Sequence, residues 1–471
     1  MKLSRRQLLG LGMTGAAVAG CAPIARRLAA DLPADVSLPK GDVEPTLRLV
    51  NRLSFGSTPG EVSRVKALGR QAYLDQQLNP TDDEPAHLTV QLYRLDAYRM
   101  DSHEMEELPI DLVLMQLQQG TILRATYSPH QLRERLIEFW SDHFNIYARK
   151  GSSAFRKGVD DTNVIRKHAL GNFKDLVSGS AHSPAMLAYL DNQVNVKGVA
   201  NENYARELME LHTLGVHGGY TQRDVQEVAR CFTGWGIENR FMRPKGKFVF
   251  NSERHDDGEK VVLGNRIAPL GGEKDGERVI ELLALHPNTA KFICTKMCRY
   301  FLGHTESKVV DQMAKVYLAN RGEIKPVVAE MFSEANLAEA PPVQKRPFDY
   351  MISALRATGA QTDGGRALQE HLDRMGMPLY QWPMPDGYPV KSEAWTGTLL
   401  ARWNFAAAMA RNEISGTVVD IKKLEERSKG DLASVLTGSS ERARLVAKHV
   451  PANDLTKLAT ACLASPDFQW R

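Results

Sequence analysis

Cysteine is scarce in this chain, and the few cysteines present are scattered. Only 5 occur among 471 residues, at positions 21, 231, 294, 298 and 462. Such a pattern excludes a disulfide framework, which requires several closely spaced cysteines. Cys294 and Cys298 stand four positions apart on a predicted helix and share a face. We interpret them as small core residues, and a metal-binding pair is the alternative.

The chain also lacks a strong charge of either sign. Its formal net charge is +4, and acidic and basic residues alternate instead of clustering. No nucleic-acid partner is therefore expected. Hydrophobic residues make up 43% of the chain, which is enough for a sizeable core, and the length fits one large domain or two to three smaller ones.

Several well-known catalytic and metal-binding motifs are missing. The sequence contains no GxSxG, Walker A or dinucleotide-binding glycine motif, which argues against common hydrolases, nucleotide hydrolases and nicotinamide enzymes. It also contains no HExxH motif, EF-hand loop or clustered CxxC. Neither a cofactor nor a divalent metal is indicated by a recognised motif.

The N-terminus carries the most specific signal. In SRRQLLGLGMTGAAVAGC, Arg5 and Arg6 precede an apolar run that is too short to span a membrane. The arginine pair is typical of a twin-arginine export signal, and VAGC is typical of a lipobox that makes Cys21 the lipid-modified first residue. We predict an export signal over residues 1–21 and a tether over 22–45; an uncleaved N-terminal anchor is the alternative.

These signals predict a lipoprotein of the periplasm or cell envelope, held to the membrane by its lipid anchor. Ala22 follows Cys21, and this favours the outer membrane where the host has one. Twin-arginine export carries folded proteins, which modestly favours a cofactor or metal loaded before export.

Beyond the tether, helix signals recur. Thr58 precedes Pro59 and Glu61 in a helix-start pattern, and Ser128 and Thr221 begin similar patterns. The only clear strand signals lie in 247–264, where two β-rich runs flank Asp257-Gly258 and predict a hairpin. We predict a mostly α fold, with residues 46–471 forming a single large multi-helix domain with one small β-hairpin excursion.

Residues 375–395 form a proline- and glycine-rich stretch that cannot be regular helix. Its aromatic residues are Tyr380, Trp382, Tyr388 and Trp395. We interpret the stretch as an ordered loop that caps the helical core. Stacking on a sugar or clamping a peptide, beside Asp386, is the alternative.

One carboxylate is predicted on an apolar helix face. At about 100° per residue, Glu207 falls inside the apolar stripe of the helix over 201–216, and Asn203 lies one turn earlier. On the helix over 132–150, His143 lies near the middle of the apolar face and Arg133 towards one side. The acidic and amide side chains of that helix are predicted to face away: Glu134, Glu138, Asp142 and Asn145.

An unpaired buried carboxylate costs several kcal/mol, so Glu207 should have a partner. Arg133, His143 and Asn203 are the predicted partners, in one hydrogen-bond network that borders a concavity reached by His255 or the 375–395 loop. A buried network that only fixes helix register is one interpretation, and a functional cleft or metal site is the other. His255, in the ERHDDG turn, could join His143 and Glu207 on a divalent metal; simple turn chemistry is its alternative.

At these residues the chain resembles the bacterial proteins called domain of unknown function 1800. The resemblance runs from NRLSFGSTPGE to LASPDFQ. It rests on the stretches FWSDHF, NENYARELMELHTLGVHGGYTQRDVQEVARCFTGW, HDDGEKVVLG, MGMPLYQWPMPDGYP and RWNFA. Members often have a second histidine where this chain has Ser141-Asp142, and glutamine where Met377 stands. The first departure weakens a two-histidine metal site.

The resemblance implies export but no established reaction. It also implies a frequent genomic neighbour, the exported sulfatase-like domain of unknown function 1501, as a partner. Two functions remain open. One is a cell-envelope enzyme or metal or cofactor protein with a polar cleft around His143, Asn203, Glu207 and His255. The other is a non-catalytic binding or assembly protein that works with the sulfatase-like partner.

Overall fold

The computed structural model describes residues 44–471, except for Pro59, Asp82, Phe241, Pro244 and Ala452. Arg5, Arg6 and Cys21, which carry the predicted export signal and lipid anchor, lie outside the described residues. Within the described part of the chain, no helix is both long and apolar enough to cross a membrane.

The described residues are mostly helical, as predicted, and form 25 α-helices. The first group runs up to the hairpins: Pro45–Leu53, Glu61–Leu68, Arg70–Leu78, Ala86–Tyr93, Ser102–Met105, Ile110–Tyr127, Gln131–His143, Ser153–Asp160, Phe173–His182, Pro184–Tyr189, Glu202–Glu207 and Gln222–Cys231. The second group follows them: Lys274–Ala284, Pro287–Met297, Ser307–Ala319, Ile324–Met331, Glu334–Glu339, Pro347–Thr358, Arg366–Arg374, Leu399–Ala410, Ile421–Arg427, Leu432–Thr437, Ser440–Ala447, Leu455–Ala464 and Pro466–Gln469.

Tighter and wider helical turns extend several of these helices. The π-helical segments are Asp161–Arg166, Leu208–Thr213 and Cys298–Leu302. The 3-10 segments are Asp96–Tyr98, Asn192–Val194, Ser252–Arg254 and Ser392–Thr398. The π segment 208–213 continues the helix that carries Glu207, and it positions the candidate site described below.

The β-structure consists of three small antiparallel pairs among the described residues. Their strands are Trp235–Ile237 with Phe248–Phe250, Lys260–Val262 with Asn265–Ile267, and Gln361–Thr362 with Thr417–Val418. The predicted β-region at 247–264 is confirmed, but its two runs do not pair with each other. Run 260–262 turns back through Leu263 and Gly264, both at positive φ (49° and 75°), which is the backbone that a tight two-residue hairpin turn needs.

Helix starts differ from the predictions at two of the three sites. The predicted cap at Thr221 is confirmed, because its side chain and that of Asp224 form a reciprocal capping box. The helix predicted from Thr58 begins instead at Glu61, after Gly60. The one predicted from Ser128 begins at Gln131, after His130. The Ser128 hydroxyl accepts from the His130 N–H in the turn before that helix, so the local polar pattern marks a turn there.

Two large hydrophobic cores fill the molecule. One is built from helices between residues 49 and 340, and the other mainly from helices between residues 348 and 468. Helix Gln131–His143 contributes its apolar face to the first core. Its opposite face is also buried: Glu134 and Asn145 are each 4% exposed. The sequence predicts only that these polar residues face away from the apolar face, because a helical wheel cannot show that a second core covers the polar face.

A layer of buried ion pairs lies on that polar face. Arg346 pairs with Glu138 and, at 2.6 Å between Nη1 and Oδ2, with Asp142. Arg135 pairs with Asp349. Burial raises the pKa of Asp142 to about 6 although Arg346 lowers it. Each of these charges therefore depends on its partner.

Candidate functional site

Glu207 lies at the surface, half-buried, where its helix changes geometry. Helix Glu202–Glu207 ends at this residue and continues as the π segment Leu208–Thr213. A π-helical turn contains an extra residue and shifts all later side chains around the axis. His212, predicted at the edge of the apolar stripe, is consequently only 1% exposed.

The carboxylate of Glu207 has no hydrogen bond to any residue that the structure describes. Burial raises its pKa above the usual value, and the charges of Glu210 and Asp386 raise it further. Arg206 lowers this pKa, but its guanidinium binds Glu202 at 3.0 Å. Burial and the like charges nearby therefore disfavour the ionised form of Glu207 relative to a free carboxylate.

The predicted partners of Glu207 lie elsewhere. Arg133 pairs with Glu84 at 2.8 Å. Asn203 is exposed, and its amide donates to the carbonyl oxygen of Leu190 at 3.1 Å. The sequence predicts one hydrogen-bond network that contains both Glu207 and His143. This prediction was wrong, because Glu207 makes no hydrogen bond within the described residues and His143 contacts the carbonyl oxygen of His212.

His143 is enclosed by aromatic rings. Its Nε2 lies 3.0 Å from the carbonyl oxygen of His212. A carbonyl only accepts, so Nε2 carries the hydrogen and Nδ1 has the lone pair. That Nδ1 has no hydrogen-bond partner, and burial among rings such as Phe139 and Phe144 lowers the His143 pKa well below its usual value.

His212 is the second buried imidazole of this region. Its ring centroid lies 6.0 Å from that of His143, and its Nε2 also has no partner. Burial first, and then the charge of Lys296, lowers the pKa of His212 to about 3. Both imidazoles are thus neutral at physiological pH.

Lys296 is close enough to interact electrostatically with both histidines and with Asp142 and Asp386, and sequence reasoning missed it. It lies on helix Pro287–Met297 and is half-buried. Burial lowers its pKa to about 8, against the opposing effect of Asp142 and Asp386. No pattern in the sequence marks this lysine, because it follows an ordinary amphipathic spacing.

Asp386, on the aromatic loop, is close enough for its charge to act on Glu207. The indole Nε1 of Trp382 donates to Asp386 Oδ1 at 3.0 Å, and the Tyr189 hydroxyl donates to the carbonyl oxygen of Pro383 at 2.9 Å. Burial raises the pKa of Tyr189, and the charges of Glu207 and Asp386 raise it further. We call Glu207, Asp386, Lys296, Tyr189 and Trp382 the acidic site.

Other parts of the loop anchor it to the protein. Tyr388 and Trp395 are buried in the second core, which agrees with a capping role. The backbone of Tyr388 also donates to the carboxylate of Asp142. A small cavity of about 30 Å³ beneath the loop is lined by Asp142 and Tyr388 but not by Glu207 or His143. Trp382 is only half-buried and remains available at the surface.

His255 belongs to a separate buried cluster. Its Nδ1 lies 2.8 Å from the carbonyl oxygen of Thr233, and its Nε2 lies 3.2 Å from Asp275, which also binds Lys260 at 2.6 Å. Among the described residues, His143, Glu207 and His255 do not converge within ligand distance of one another. The predicted metal combination is therefore not assembled, because His255 lies in its own buried cluster with Asp275 and Lys260.

The cysteines are core residues. Cys231, Cys294, Cys298 and Cys462 are all buried and unpaired. Burial raises the pKa of Cys298 to about 12, and the Cys298 thiol contacts the sulfur of Met313. A metal pair would need thiolates, which this apolar setting disfavours.

A concavity of about 790 Å³ lies away from these groups. Its main charges, Arg356 and Glu61, pair with each other at 2.9 Å. The acidic site is therefore a stronger candidate than this concavity, because it combines a carboxylate without a hydrogen bond, a lysine with a lowered pKa and an aromatic side chain.

Two of the stretches on which the family resemblance rests contribute residues to this site: 201–235 and 375–389. A family model described as "Protein of unknown function (DUF1800)" matches residues 48–470. No curated protein and no solved structure matches the chain.

Proposed function

The chain belongs to the DUF1800 family. We propose that it is an exported enzyme that hydrolyses a glycan of the cell envelope at the acidic site. The observation that carries the proposal is Glu207, a half-buried carboxyl without a hydrogen bond and with a raised pKa. A general acid at neutral pH needs such a carboxyl, because it must still hold a proton to give.

Asp386 supplies the second carboxylate that glycoside hydrolysis requires. Glycosidases use two carboxyl groups, one as acid and one as base or nucleophile. Asp386 is exposed, and its hydrogen bond with the Trp382 indole fixes the position of its carboxylate. In this mechanism Glu207 gives its proton to the leaving oxygen, and Asp386 activates water or attacks the sugar carbon.

Trp382 and Lys296 supply binding. A half-buried indole offers an apolar face on which a sugar ring stacks, and its N–H keeps Asp386 in place. The Lys296 amine, whose pKa is about 8, donates hydrogen bonds to sugar hydroxyls. This set of groups favours an uncharged, hydroxyl-rich ligand over nucleotides or lipids.

The location of the enzyme follows from the N-terminus. We propose export by the twin-arginine route through Arg5 and Arg6, then lipid attachment at Cys21, with residues 22–45 as a tether. A lipid-anchored body on the outer membrane faces the periplasm, where envelope glycans lie.

Release of reducing ends from purified envelope glycans tests the reaction. Glu207→Gln should lower kcat/KM by about 100-fold or more with the fold unchanged. Glu210→Gln is the matched control: Glu210 lies in the next turn and accepts a long hydrogen bond from Tyr220 at 3.4 Å. Because the charge of Glu210 also raises the pKa of Glu207, we expect Glu210→Gln to lower the rate, but by much less than Glu207→Gln.

Equal rates for the wild type and Glu207→Gln would overturn the assignment. A wild type that binds glycans without cleaving them, and loses binding as Trp382→Ala, would instead support the non-catalytic binding protein. Binding to the sulfatase-like partner, with no glycan affinity, would support an assembly role.

A further inference from the structure

A second group of metal-ligating side chains shares no residue with the acidic site and lies on other helices. His182 is the last residue of helix Phe173–His182, and Glu273 and Glu277 lie at the start of helix Lys274–Ala284. One ligand atom from each of the three lies within 4.8 Å of the others. Among the described residues, no other group of three histidine, cysteine or acidic side chains meets this distance.

The imidazole of His182 is held in the tautomer that a metal ligand needs. Its Nδ1 lies 2.7 Å from the carbonyl oxygen of Ser178, so Nδ1 carries a hydrogen. Nε2 then faces the carboxylates, 3.1 Å from Glu277 and 3.7 Å from Glu273. Metal-binding histidines characteristically donate their other N–H to a backbone carbonyl in this way.

Aromatic contacts fix the direction of that ring. Its centroid lies 4.4 Å from the Trp235 ring and 4.5 Å from the Phe248 ring. Both partners belong to the first hairpin, so the ring is packed from the side opposite to solvent. The imidazole is still 26% exposed, which leaves room for water at its free nitrogen.

A positive species must lie between these groups. With a lone pair on Nε2, the nitrogen and the two carboxylates would repel each other. Either a proton on Nε2 or a bound cation removes this repulsion. Ligand atoms about 2.0 Å from a tetrahedral zinc ion lie about 3.3 Å apart, close to the two distances found here.

We propose that His182, Glu273 and Glu277 bind one divalent transition-metal ion, with zinc as the best fit. Nitrogen and carboxylate ligands suit zinc, and three protein ligands leave a fourth position for water. The ion would join the C-terminal end of one helix to the N-terminal end of another. This site shares no residue with the acidic site.

The competing state is a simple ion pair in which Nε2 carries a proton. The ends of the two helices favour it, because a helix C-terminus stabilises a cation and a helix N-terminus stabilises carboxylates. The positive charge of Lys174, on the neighbouring helix, also stabilises the carboxylate of Glu277. Direct metal titration separates the two states.

Calorimetric titration of the full chain with zinc ions alone, at neutral pH, is the test. The wild type should bind one ion, and Glu277→Gln should weaken binding by at least about 10-fold. Glu277→Gln keeps the side-chain shape, and this side chain is 44% exposed, so the variant should fold. His182→Ala should abolish the site.

Glu281→Gln is the matched control, since Glu281 lies one turn further along the same helix and pairs with Arg278 at 2.6 Å. It should bind zinc as the wild type does. No zinc binding by the wild type, or equal affinity in the wild type and Glu277→Gln, would overturn the proposal. Loss of binding in Glu281→Gln as well would also overturn it, because it would indicate diffuse attraction to surface acids.

Discussion

The imidazole of His143 contacts the backbone of His212, with 3.0 Å between Nε2 and the carbonyl oxygen. This bond joins helix Gln131–His143 to the π segment 208–213. Burial lowers the pKa of His143 although this hydrogen bond raises it, and His212 itself has an unpartnered Nε2. The contact therefore couples the packing of two family stretches to the protonation of two buried histidines.

Acid should destabilise the protein through this pair. The pKa of His212 is lowered to about 3 in the folded protein, whereas an unfolded histidine titrates near 6.5. Its contribution to stability is complete above the unfolded pKa and is lost as pH falls below it. Each pH unit below that value then costs about 1.4 kcal/mol of unfolding free energy. His212→Phe should flatten this acid dependence in urea unfolding curves.

His217→Phe is the control, because His217 is exposed and close in the chain. It should retain the wild-type acid dependence. If His212→Phe loses stability in acid as steeply as the wild type, the buried neutral state of His212 is wrong.

Glu207 should lower the stability of the folded protein at neutral pH. Its folded pKa is raised, so the charged form is disfavoured in the folded state. The stability that the protonated form of Glu207 contributes is present below the unfolded pKa and is lost as pH rises through the folded pKa. Glu207→Gln should therefore melt at the same temperature as the wild type or higher at neutral pH. The difference should shrink near pH 4. A lower melting temperature at neutral pH would instead favour a structural network.

Gly387 should be required for the aromatic loop to pack against helix Gln131–His143. Its φ is +77°, and an added Cβ would lie 2.2 Å from the Asp142 carbonyl oxygen. Gly376 has nearly the same φ, +81°, but nothing within 4 Å of an added Cβ. Gly376→Ala should cost about 1–2 kcal/mol from backbone strain alone.

Gly387→Ala should cost clearly more than Gly376→Ala, since the loop must also move away from helix Gln131–His143. Chemical denaturation of the two variants makes the comparison. Equal costs would show that the loop adapts without displacement.

Removing Arg346 should be severe. Its guanidinium pairs with both Glu138 and Asp142 in the buried layer, so Arg346→Met leaves two acids without their partner. We expect a loss of about 3–5 kcal/mol in unfolding free energy. Arg366→Met removes an exposed arginine near Glu370 and should cost less than about 1 kcal/mol. Similar losses for both would contradict the burial of the layer.

The predicted anchor can be tested in cells. Cys21→Ala should abolish labelling by a palmitate analogue and release the protein from membranes. Arg5→Lys with Arg6→Lys should keep the precursor in the cytoplasm. Membrane-bound, lipid-labelled Cys21→Ala protein would contradict the lipobox.

Local patterns were sufficient for much of the fold. Apolar residues at helical spacing predicted a mostly helical chain, and the capping pair Thr221 and Asp224 marked a helix start correctly. The β-rich run at 247–264 also lies where predicted. Its pairing was not predictable from the run itself, because Leu263 and Gly264 form the tight turn.

The sequence by itself determined the helical class, the family, and the apolar setting of His143, because these depend on spacing and composition along the chain. It also raised the question of Glu207. Only the tertiary structure decided that the π segment shifts His212 inward, that a second core covers Glu138, and that the charge of Asp386 acts on both Glu207 and Lys296. These outcomes depend on contacts between segments far apart in the chain, and a helical wheel assumes a regular helix with a single covered face.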